Sequence, residues 1–145
     1  MEYIIKPYRE NDRSDILSIW QKSVKATHHF LNEADFVAIK AILHAFNFNN
    51  LDVHCLFSGE KMLGFIGIAN QKIEMLFLDP EYIGKGLGLQ LMNFAFNHYH
   101  VNAVDVNEQN ISALNFYQKA GFKVYDKTEK DELGKSYPIL KMKLS

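Results

Sequence analysis

A turn with three alternating glycines constrains the fold of this chain more than any other feature. Gly84, Gly86 and Gly88 separate an apolar strand, which ends at Leu78, from an amphipathic run over Leu87–Tyr99. This order leaves several backbone N–H groups unpaired at the start of a helix, where the helix dipole adds partial positive charge. Such a position binds anions, most often phosphate. A tight turn with a helix cap would use the same glycines, so the turn alone leaves both interpretations open.

Two common phosphate-binding loops fail on spacing. The dinucleotide fingerprint G-x-G-x-x-G, if it starts at Gly84, requires a glycine at the position of Leu89. The P-loop pattern G-x-x-x-x-G-K-S/T could end at Gly134–Ser136, but its opening glycine would fall on Glu129. Both patterns are defined by glycines at fixed distances from the phosphate, so neither nucleotide site is predicted.

Composition excludes several classes of protein. A chain of 145 residues with 48% hydrophobic and 23% charged residues is typical of one globular domain, here residues 1–145. The formal net charge of −1 argues against nucleic acid as the main partner. No apolar run approaches membrane-spanning length, and Glu2 and Lys6 interrupt any signal-peptide pattern, so a cytoplasmic protein is predicted. The single Cys55 is expected to be a buried small hydrophobe.

Apolar periodicity predicts a mixed sheet with four helices. The predicted strands are Tyr3–Lys6, Asp52–Ser58, Met62–Ala69, Ile73–Leu78, Ala103–Val106, Phe122–Lys127 and Tyr137–Met142. Four helices are predicted. The first begins after Asn11 or Asp12, the second begins after Asn32, and the third and fourth span Gly86–Tyr99 and Ser112–Ala120. Short turns make the second to fourth strands an antiparallel meander, and the helix after the fourth strand makes it parallel to the fifth. An exposed edge strand at Tyr137–Leu144 could mediate a homodimer.

A second motif follows the fifth predicted strand. From Asn110 to Phe122 the sequence has the form N-x-x-A-x-x-F-Y-x-x-x-G-F. Together with the preceding glycine turn, this motif resembles the GNAT superfamily of acyl-CoA-dependent N-acyltransferases. The resemblance extends over nearly the whole chain in element order, and its motifs begin near Ile73. It implies an α+β (mixed α/β) fold, in which about four helices flank a central, mixed, mostly antiparallel twisted sheet with a splay between its fourth and fifth strands.

The resemblance implies acetyl-CoA as the co-substrate. The glycine turn would hold its pyrophosphate, and the fourth strand would pair with the amides of the pantetheine arm. A β-bulge near Leu76–Leu78 in that strand would free an N–H to polarise the thioester carbonyl. Asn110 would reach the cofactor with its side-chain amide, or cap the next helix, or do both. The residues expected at acetyl-CoA are Leu76, Phe77, Leu78, Ile83, Gly84, Lys85, Gly86, Leu87, Gly88, Leu89, Asn110 and Tyr117.

This chain departs from the family's loop pattern at one position. The pattern is usually written Q/R-x-x-G-x-G/A, and alignment on Gly86 and Gly88 puts Ile83 at the Arg or Gln position. Backbone N–H groups form most of the cradle, so it can survive the change, and Lys85 could supply the missing charge. A non-catalytic CoA-binding or interaction module on the same fold is the alternative function, and Ile83 is its main support.

Transfer of an acetyl group from a thioester to an amine needs an acid for the leaving thiolate. Tyr117 lies seven residues after Asn110, on the helix beside the expected splay, so its hydroxyl is the predicted general acid. The alternative for Tyr117 is a core aromatic residue beside Phe116. Because neighbouring helical residues point ~100° apart, we expect Phe116 to face the core and Tyr117 to face the site.

The acceptor, a primary amine of a small molecule or peptide, must lose a proton before it attacks the thioester directly. Glu74 is one candidate base, because strand alternation would put it on the face of Leu76 and Leu78. His28 is another, because the loop between the first two helices usually walls the acceptor pocket in this family. Asp105 on the fifth strand is a third. Each residue also has a structural interpretation. Glu74 would be a solvated strand residue, His28 a loop residue bonded to backbone, and Asp105 an acid at the sheet end.

Several aromatic and loop residues could line the acceptor pocket. They are Trp20, His28, His29, Phe30, Tyr125, Tyr137 and the loop Asp131–Ser136. These residues suggest a small polar amine or an amino acid, with a protein N-terminus or a lysine as alternatives. Metal binding is not predicted, because the two adjacent histidines lack the further ligands at a suitable spacing.

Overall fold

The computed structural model describes residues 2–144, which form seven strands and four α-helices. The strands are β1 (Ile4–Pro7), β2 (Asp52–Ser58), β3 (Lys61–Ala69), β4 (Lys72–Leu78), β5 (Ala103–Asn107), β6 (Phe122–Thr128) and β7 (Ile139–Leu144). The helices are α1 (Arg13–Thr27), α2 (Glu33–Ala45), α3 (Leu87–Tyr99) and α4 (Ile111–Lys119). The predicted order is confirmed, although the last strand begins at Ile139 rather than Tyr137. None of these helices is both long and apolar enough to cross a bilayer.

The strands form one sheet in the order β1-β2-β3-β4-β5-β7-β6. All neighbours are antiparallel except β4 and β5, which are parallel as predicted. The last strand pairs with β5 on one side and β6 on the other, so the predicted exposed edge at Tyr137–Leu144 is wrong. Its side chains explain this position, because Leu140 and Met142 are buried, whereas residues 123–127 of β6 are exposed. An inner strand buries its apolar residues, and the polar strand takes the edge.

The helices cover both faces of the sheet and form two apolar clusters. The first cluster contains Leu91 and Met92 of α3 and Tyr117 of α4. The second cluster contains Trp20 of α1 together with Cys55 of β2. The cysteine is fully buried, as predicted, and burial raises the pKa of its thiol to about 12.

The predicted splay is the boundary between the parallel strands. Residue pairing between β4 and β5 covers only Lys72 with Ala103 and Ile73 with Val104. Beyond this point β4 continues along β3 to Leu78, while all of β5 pairs with β7 on its other side. The divergence leaves the β5-facing edge of β4 open over its C-terminal half.

A β-bulge interrupts the pairing of β3 with β4 at Glu74. Gly67 lies opposite Met75, and the next residue of β3 lies opposite Ile73, so Glu74 has no residue opposite it. The bulge lies two residues before the predicted position near Leu76–Leu78. An extra residue bends the strand and leaves part of its backbone unpaired at the start of the splay.

The bulge also changes which face of the sheet each side chain occupies. Ile73, Leu76 and Leu78 all belong to the first cluster, whereas Phe77 packs against the second. In an uninterrupted strand, residues three positions apart would lie on opposite faces, so the extra residue shifts the alternation. The break in alternation therefore lies between Ile73 and Met75, and the shared face of Glu74 with Leu76 and Leu78 stays a prediction.

Candidate active site

A cavity of about 340 Å³ follows the splay from the glycine turn to α4, and we call it the main cavity. Its walls come from α1, β4, the glycine turn and α4. The lining residues are Ser23, Thr27, His28, Leu76, Phe77, Leu78, Ile83, Gly84, Gly86, Leu87, Gly88, Leu89, Asn110, Ser112, Ala113, Phe116 and Tyr117. The fold therefore brings together every residue expected at acetyl-CoA except Lys85.

A smaller cavity of about 130 Å³, the side cavity, extends between β4 and β5. It adds Glu74, Asp105 and Asn107 to the residues that border the splay. Six residues border both cavities: His28, Leu76, Phe77, Asn110, Ala113 and Tyr117. The two cavities thus meet at the splay, so ligands entering from opposite sides would face each other there.

The glycine turn and the start of α3 line the main cavity. Gly84 and Gly86 have φ of +87° and +77°, in the left-handed region that favours glycine. Gly86 is the N-cap of α3, so the N–H groups of the first helical turn, beginning at Leu87, have no partner within the helix. An added Cβ at Gly84 or Gly86 would meet nothing within 4 Å. Backbone conformation, rather than crowding, therefore requires these two glycines.

The departure from the family's loop pattern leaves the cradle without a side-chain cation. Ile83 is 52% exposed and borders the main cavity. The ammonium of Lys85 lies over the ring of Tyr82, 5.9 Å from its centroid, and Lys85 is not part of the cavity wall. The lysine would have to leave Tyr82 to reach an anion in the cavity.

Tyr117 is buried in the first cluster and also borders both cavities. Its ring packs edge-on against Phe122, with the centroids 5.8 Å apart, and its hydroxyl has no hydrogen-bond partner among residues 2–144. Burial raises the pKa of Tyr117 above its usual value of about 10, so the phenol stays protonated at neutral pH. The ring is buried, but the unpaired hydroxyl is not a fully buried atom, so it can donate its proton to a group in the splay.

Phe116 does not have the purely core position that the sequence predicted. It is partly buried and borders the main cavity, where its ring would lie 3.4 Å from a Cβ added at Gly88. Because α4 lies along the cavity, two successive side chains of this helix reach its wall, although they point in different directions. Tyr117, which was expected to face the site, is the more buried of the two.

Asn110 has the expected capping role, and its amide nitrogen stays available for the other. It is the N-cap of α4, which begins one residue earlier than predicted, and its Oδ1 accepts a hydrogen bond from the Ala113 N–H at 3.2 Å. The amide nitrogen makes no hydrogen bond within the described part of the chain and is left for a ligand in either cavity. The cap itself fixes the orientation of the amide.

The two carboxylates at the splay differ in their partners. Asp105 accepts a hydrogen bond from the Lys72 ammonium at 2.8 Å, so its charge is balanced. Glu74 is exposed, borders the side cavity and forms no ion pair with any described residue. Partial desolvation raises the pKa of Glu74, Lys72 opposes this change, and nearby Glu132 adds to it.

His28 lies at the C-terminal end of α1, where the main chain leaves the helical conformation. Its Nδ1 is 2.7 Å from the hydroxyl oxygen of Thr27, and its ring borders both cavities. Burial lowers the pKa of His28, and the nearby charge of His29 adds to this effect. The ring is therefore neutral at neutral pH and can accept a proton.

A third recess, of about 270 Å³, adjoins the side cavity on the β6–β7 side, and we call it the acidic recess. Four carboxylates line it, those of Glu74, Asp105, Asp131 and Glu132. Lys72 is the one basic residue in this wall, and it already pairs with Asp105. The recess consequently presents net negative charge to anything that approaches the splay from this side.

The other residues expected in the acceptor pocket have different positions. Tyr137 donates a hydrogen bond to Asp35 of α2 and packs near Phe30. These two contacts hold the β6–β7 loop against the start of α2. Trp20 is buried in the second cluster, and Tyr125 is exposed on the edge strand β6. Among residues 2–144, no three His, Cys, Asp or Glu side chains form a group that could hold a metal ion.

Sequence reasoning missed the polar residues that α1 contributes to the main cavity. Ser23 and Thr27 continue the helical spacing of the buried residues Ile16, Ile19 and Trp20. Polar side chains at positions where the apolar stripe should continue were the available signal. They mark the end of α1 as the wall of a cavity rather than as part of the core.

Comparisons with known proteins agree with this arrangement. Residues 21–144 match the family model described as an acetyltransferase (GNAT) domain. The peptidyl-lysine N-acetyltransferase YjaB of Salmonella typhimurium is 33% identical over 138 residues, which cover 95% of each chain. The solution structure of apo-form YjaB from Escherichia coli has a TM-score of 0.91 and 32% identity, and the match covers 99% of this chain and 97% of that one.

A more distant structure shares the fold. The crystal structure of PaiA N-acetyltransferase from Thermoplasma acidophilum, in complex with coenzyme A, has a TM-score of 0.72 and 24% identity, with 99% of both chains covered. The family model and the sequence identity to YjaB are decisive, and this chain belongs to the GNAT acetyltransferase family. It is an N-acetyltransferase, as the resemblance of its two motifs implied.

Proposed function

We propose that this chain transfers the acetyl group of acetyl-CoA to the side-chain amine of lysine in a peptide or protein. The observation that carries the proposal is the meeting of the main and side cavities at the splay, with Tyr117 in the wall of both. An acetyl donor on one side and an amine on the other would meet there. The YjaB relative, which is named as a peptidyl-lysine N-acetyltransferase, supports lysine as the acceptor. The cytoplasmic location stays a prediction from the sequence.

On the cofactor side, acetyl-CoA takes the main cavity. Its pyrophosphate accepts hydrogen bonds from the free N–H groups of the glycine turn and the first turn of α3. Its pantetheine amides pair with the edge of β4 over Leu76–Leu78, which β5 leaves open. The amide of Asn110 donates to the same arm from the other side of the splay. These contacts hold the thioester beside Tyr117.

In the reaction, the deprotonated amine attacks the thioester carbonyl carbon directly. A C–N bond forms, the C–S bond breaks, and the Tyr117 hydroxyl protonates the departing sulfur. Preorganised donors beside the carbonyl oxygen lower the barrier, because the oxyanion forms in a site that excludes water. An acyl-enzyme intermediate at Cys55 is not part of the proposal, since this thiol is fully buried in the second cluster.

On the acceptor side, the acidic recess favours a cation. A lysine side chain carries a positive charge until it is deprotonated, since its ordinary pKa is ~10.4. The carboxylates of Glu74, Asp131 and Glu132 attract such a side chain toward the splay. Glu74 and His28, which border the side cavity, are the two candidates for the base that deprotonates it.

The proposal is tested by offering the protein acetyl-CoA with a panel of amines and measuring free CoA thiol. The panel contains lysine peptides, the same peptides with acetylated lysine, free amino acids and small amines. We expect thiol release with unmodified lysine peptides and a mass increase of one acetyl group at the lysine. Calorimetric binding of acetyl-CoA without thiol release would favour the CoA-binding module instead. Turnover confined to free amino acids or small amines would overturn the choice of lysine.

The role of the acidic recess is tested by reversing one of its charges. We expect Glu132→Lys to raise the KM for lysine peptides with basic flanking residues by ~3–10-fold, because exposed charges act on encounter and are partly screened by salt. The effect should shrink at high ionic strength. Glu60→Lys, in the exposed β2–β3 turn, makes the same charge change away from the splay. Equal effects of the two variants would show that net charge, rather than the recess, determines the KM.

A further inference from the structure

We propose that Thr27 is a positioning residue that fixes the tautomer of His28, so that the Nε2 lone pair of His28 takes the proton from the acceptor amine. The proposal rests on the proposed function and deepens it, because it assigns one of the two candidate bases. It gives a role to a hydroxyl that neither the cofactor nor the acceptor side of the proposal uses.

The tautomer follows from two short contacts at one hydroxyl. The Thr27 Oγ1 lies 2.8 Å from the carbonyl oxygen of Ser23, one turn earlier in α1, and a carbonyl can only accept. The single hydrogen of the hydroxyl therefore points at Ser23. The same Oγ1 lies 2.7 Å from Nδ1 of His28, so this contact is a hydrogen bond only if Nδ1 donates. In the neutral ring that satisfies both contacts, the hydrogen is on Nδ1 and the lone pair is on Nε2.

The free nitrogen is the one that can act in the cavities. His28 borders the main and side cavities, and within residues 2–144 its ring hydrogen-bonds only through Nδ1. The ring is also held in place, because the His28 N–H donates to the Val24 carbonyl at 2.8 Å and Phe30 packs 5.2 Å from the ring centroid. A base that is already oriented needs no rearrangement before proton transfer.

The charges around His28 suit a ring that is neutral at rest and charged during turnover. His29 lies beside it in the same loop, and Glu74 of β4, Asp105 of β5 and Tyr117 of α4 border the same side cavity. Burial and His29 lower the pKa of His28, which keeps Nε2 unprotonated near pH 7. Of the two carboxylates at this cavity, Asp105 is already neutralised by Lys72, and Glu74 forms no ion pair with a described residue.

Imidazole also suits the proton transfer better than a carboxylate does. The usual pKa of histidine, ~6.5, is nearer to that of an alkylammonium than the ~4.3 of glutamate. In this protein the pKa of His28 is lowered and that of Glu74 is raised, which narrows the difference, so the positions of the two groups decide between them. Glu74 is exposed and borders the acidic recess as well as the side cavity. We therefore assign Glu74 to attraction of the cation and His28 to its deprotonation.

The protons and bonds balance over one turnover. Nε2 accepts a proton from the ammonium, which gives an imidazolium and the free amine. The amine nitrogen bonds to the carbonyl carbon, the C–S bond breaks, and sulfur takes the proton of Tyr117. The excess proton on nitrogen then passes to the Tyr117 oxygen, and the imidazolium releases its proton to solvent. The sum is ammonium plus acetyl-CoA going to amide, coenzyme A thiol and one proton.

The test combines nitrogen NMR of the resting protein with kinetics on lysine peptides. In the wild-type protein at neutral pH, we expect the Nε2 resonance of His28 to be that of an unprotonated nitrogen. Thr27→Val keeps the shape of the side chain but removes the hydroxyl, so the tautomer should become mixed. We expect its kcat to fall ~10–100-fold, as for other groups that orient a functional imidazole, with the Kd of acetyl-CoA within about twofold of wild type.

Matched variants separate the role of the hydroxyl from effects on folding. Thr27→Ser retains the hydroxyl and should restore the tautomer and most of the lost kcat. Ser18→Ala removes an exposed hydroxyl from the same helix and serves as the control. His28→Gln should lower kcat by ~10²-fold or more, as expected for loss of a general base. In wild type, kcat/KM should rise with pH through the lowered pKa of His28 and lose this limb in His28→Gln.

Three results would overturn the proposal. The first is a hydrogen on Nε2 in the resting wild-type protein, and the second is an unchanged tautomer and kcat in Thr27→Val. The third is a His28→Gln variant that keeps wild-type kcat while Glu74→Gln loses it. A wild-type protein that shows the expected tautomer but acetylates no lysine peptide would instead contradict the proposed function, and the base assignment with it. The NMR and kinetic readouts therefore separate the two failures.

Discussion

Tyr117→Phe is expected to lower kcat by ~10²–10³-fold, the range for loss of a general acid. The variant removes one oxygen from a buried ring that packs against Phe122, so the fold and the walls of both cavities should persist. The hydroxyl has no partner among the described residues, and its loss leaves no buried polar group unsatisfied. The Kd of acetyl-CoA should stay within about twofold. Calorimetry gives the Kd, and the rate of thiol release gives kcat.

The control for this variant is Tyr125→Phe, which removes an exposed phenol from the edge strand β6. It should keep the wild-type kcat. Burial raises the pKa of Tyr117, so the acid form persists at neutral pH, and activity should decline only at pH values above the usual tyrosine range. Turnover close to wild type in Tyr117→Phe would remove this residue from the mechanism.

Gly86→Glu is expected to abolish detectable binding of acetyl-CoA. The residue is the N-cap of α3 and has a φ of +77°, so any side chain there strains the backbone that forms the cradle. The new carboxylate also opposes a pyrophosphate at the same helix N-terminus. Calorimetric titration with acetyl-CoA measures the loss directly, and desulfo-CoA or coenzyme A can replace it if turnover interferes.

Gly59→Glu is the matched control for Gly86→Glu. Gly59 lies in the β2–β3 turn with a φ of +60° and, like Gly86, has nothing within 4 Å of an added Cβ. The substitution therefore adds the same charge and a similar backbone strain away from the splay. It should lower thermal stability about as much as Gly86→Glu while leaving the Kd of acetyl-CoA unchanged. An unchanged Kd in Gly86→Glu would refute the assignment of the pyrophosphate to the glycine turn.

Local patterns were sufficient to predict the order of the elements and most of the residues that line the main cavity. The positions of Gly84 and Gly86 depend on backbone conformation, which a sequence expresses as glycine at fixed spacing. Asn110 and Tyr117 belong to one short motif on one helix, so their proximity follows from helical geometry. Features of this kind are local in sequence, and the fold brings them to the wall of one cavity.

Features that depend on pairing between distant strands were not predictable from the sequence. The bulge at Glu74 is a register shift against β3, and it puts Ile73 and Leu76, three positions apart, on the same face of the sheet. The inner position of the last strand depends on β6 taking the sheet edge. Thr27 and His28 are adjacent in sequence, but the functional role proposed for their contact depends on a cavity to which β4 and α4 also contribute.

The narrow pairing of β4 with β5 has a consequence for cohesion of the whole sheet. Two residue pairs join β4 to β5, and these pairs connect the half of the sheet formed by β1–β4 to the half formed by β5–β7. Five pairs join β5 to β7. The boundary between β4 and β5, the seam of the sheet, should therefore open at the lowest cost in backbone hydrogen bonds. A ligand whose amides complete the missing ladder would tie the halves together. Saturation with coenzyme A should therefore slow amide hydrogen exchange on both sides of the seam and raise the melting temperature, because the co-substrate then behaves as an additional strand.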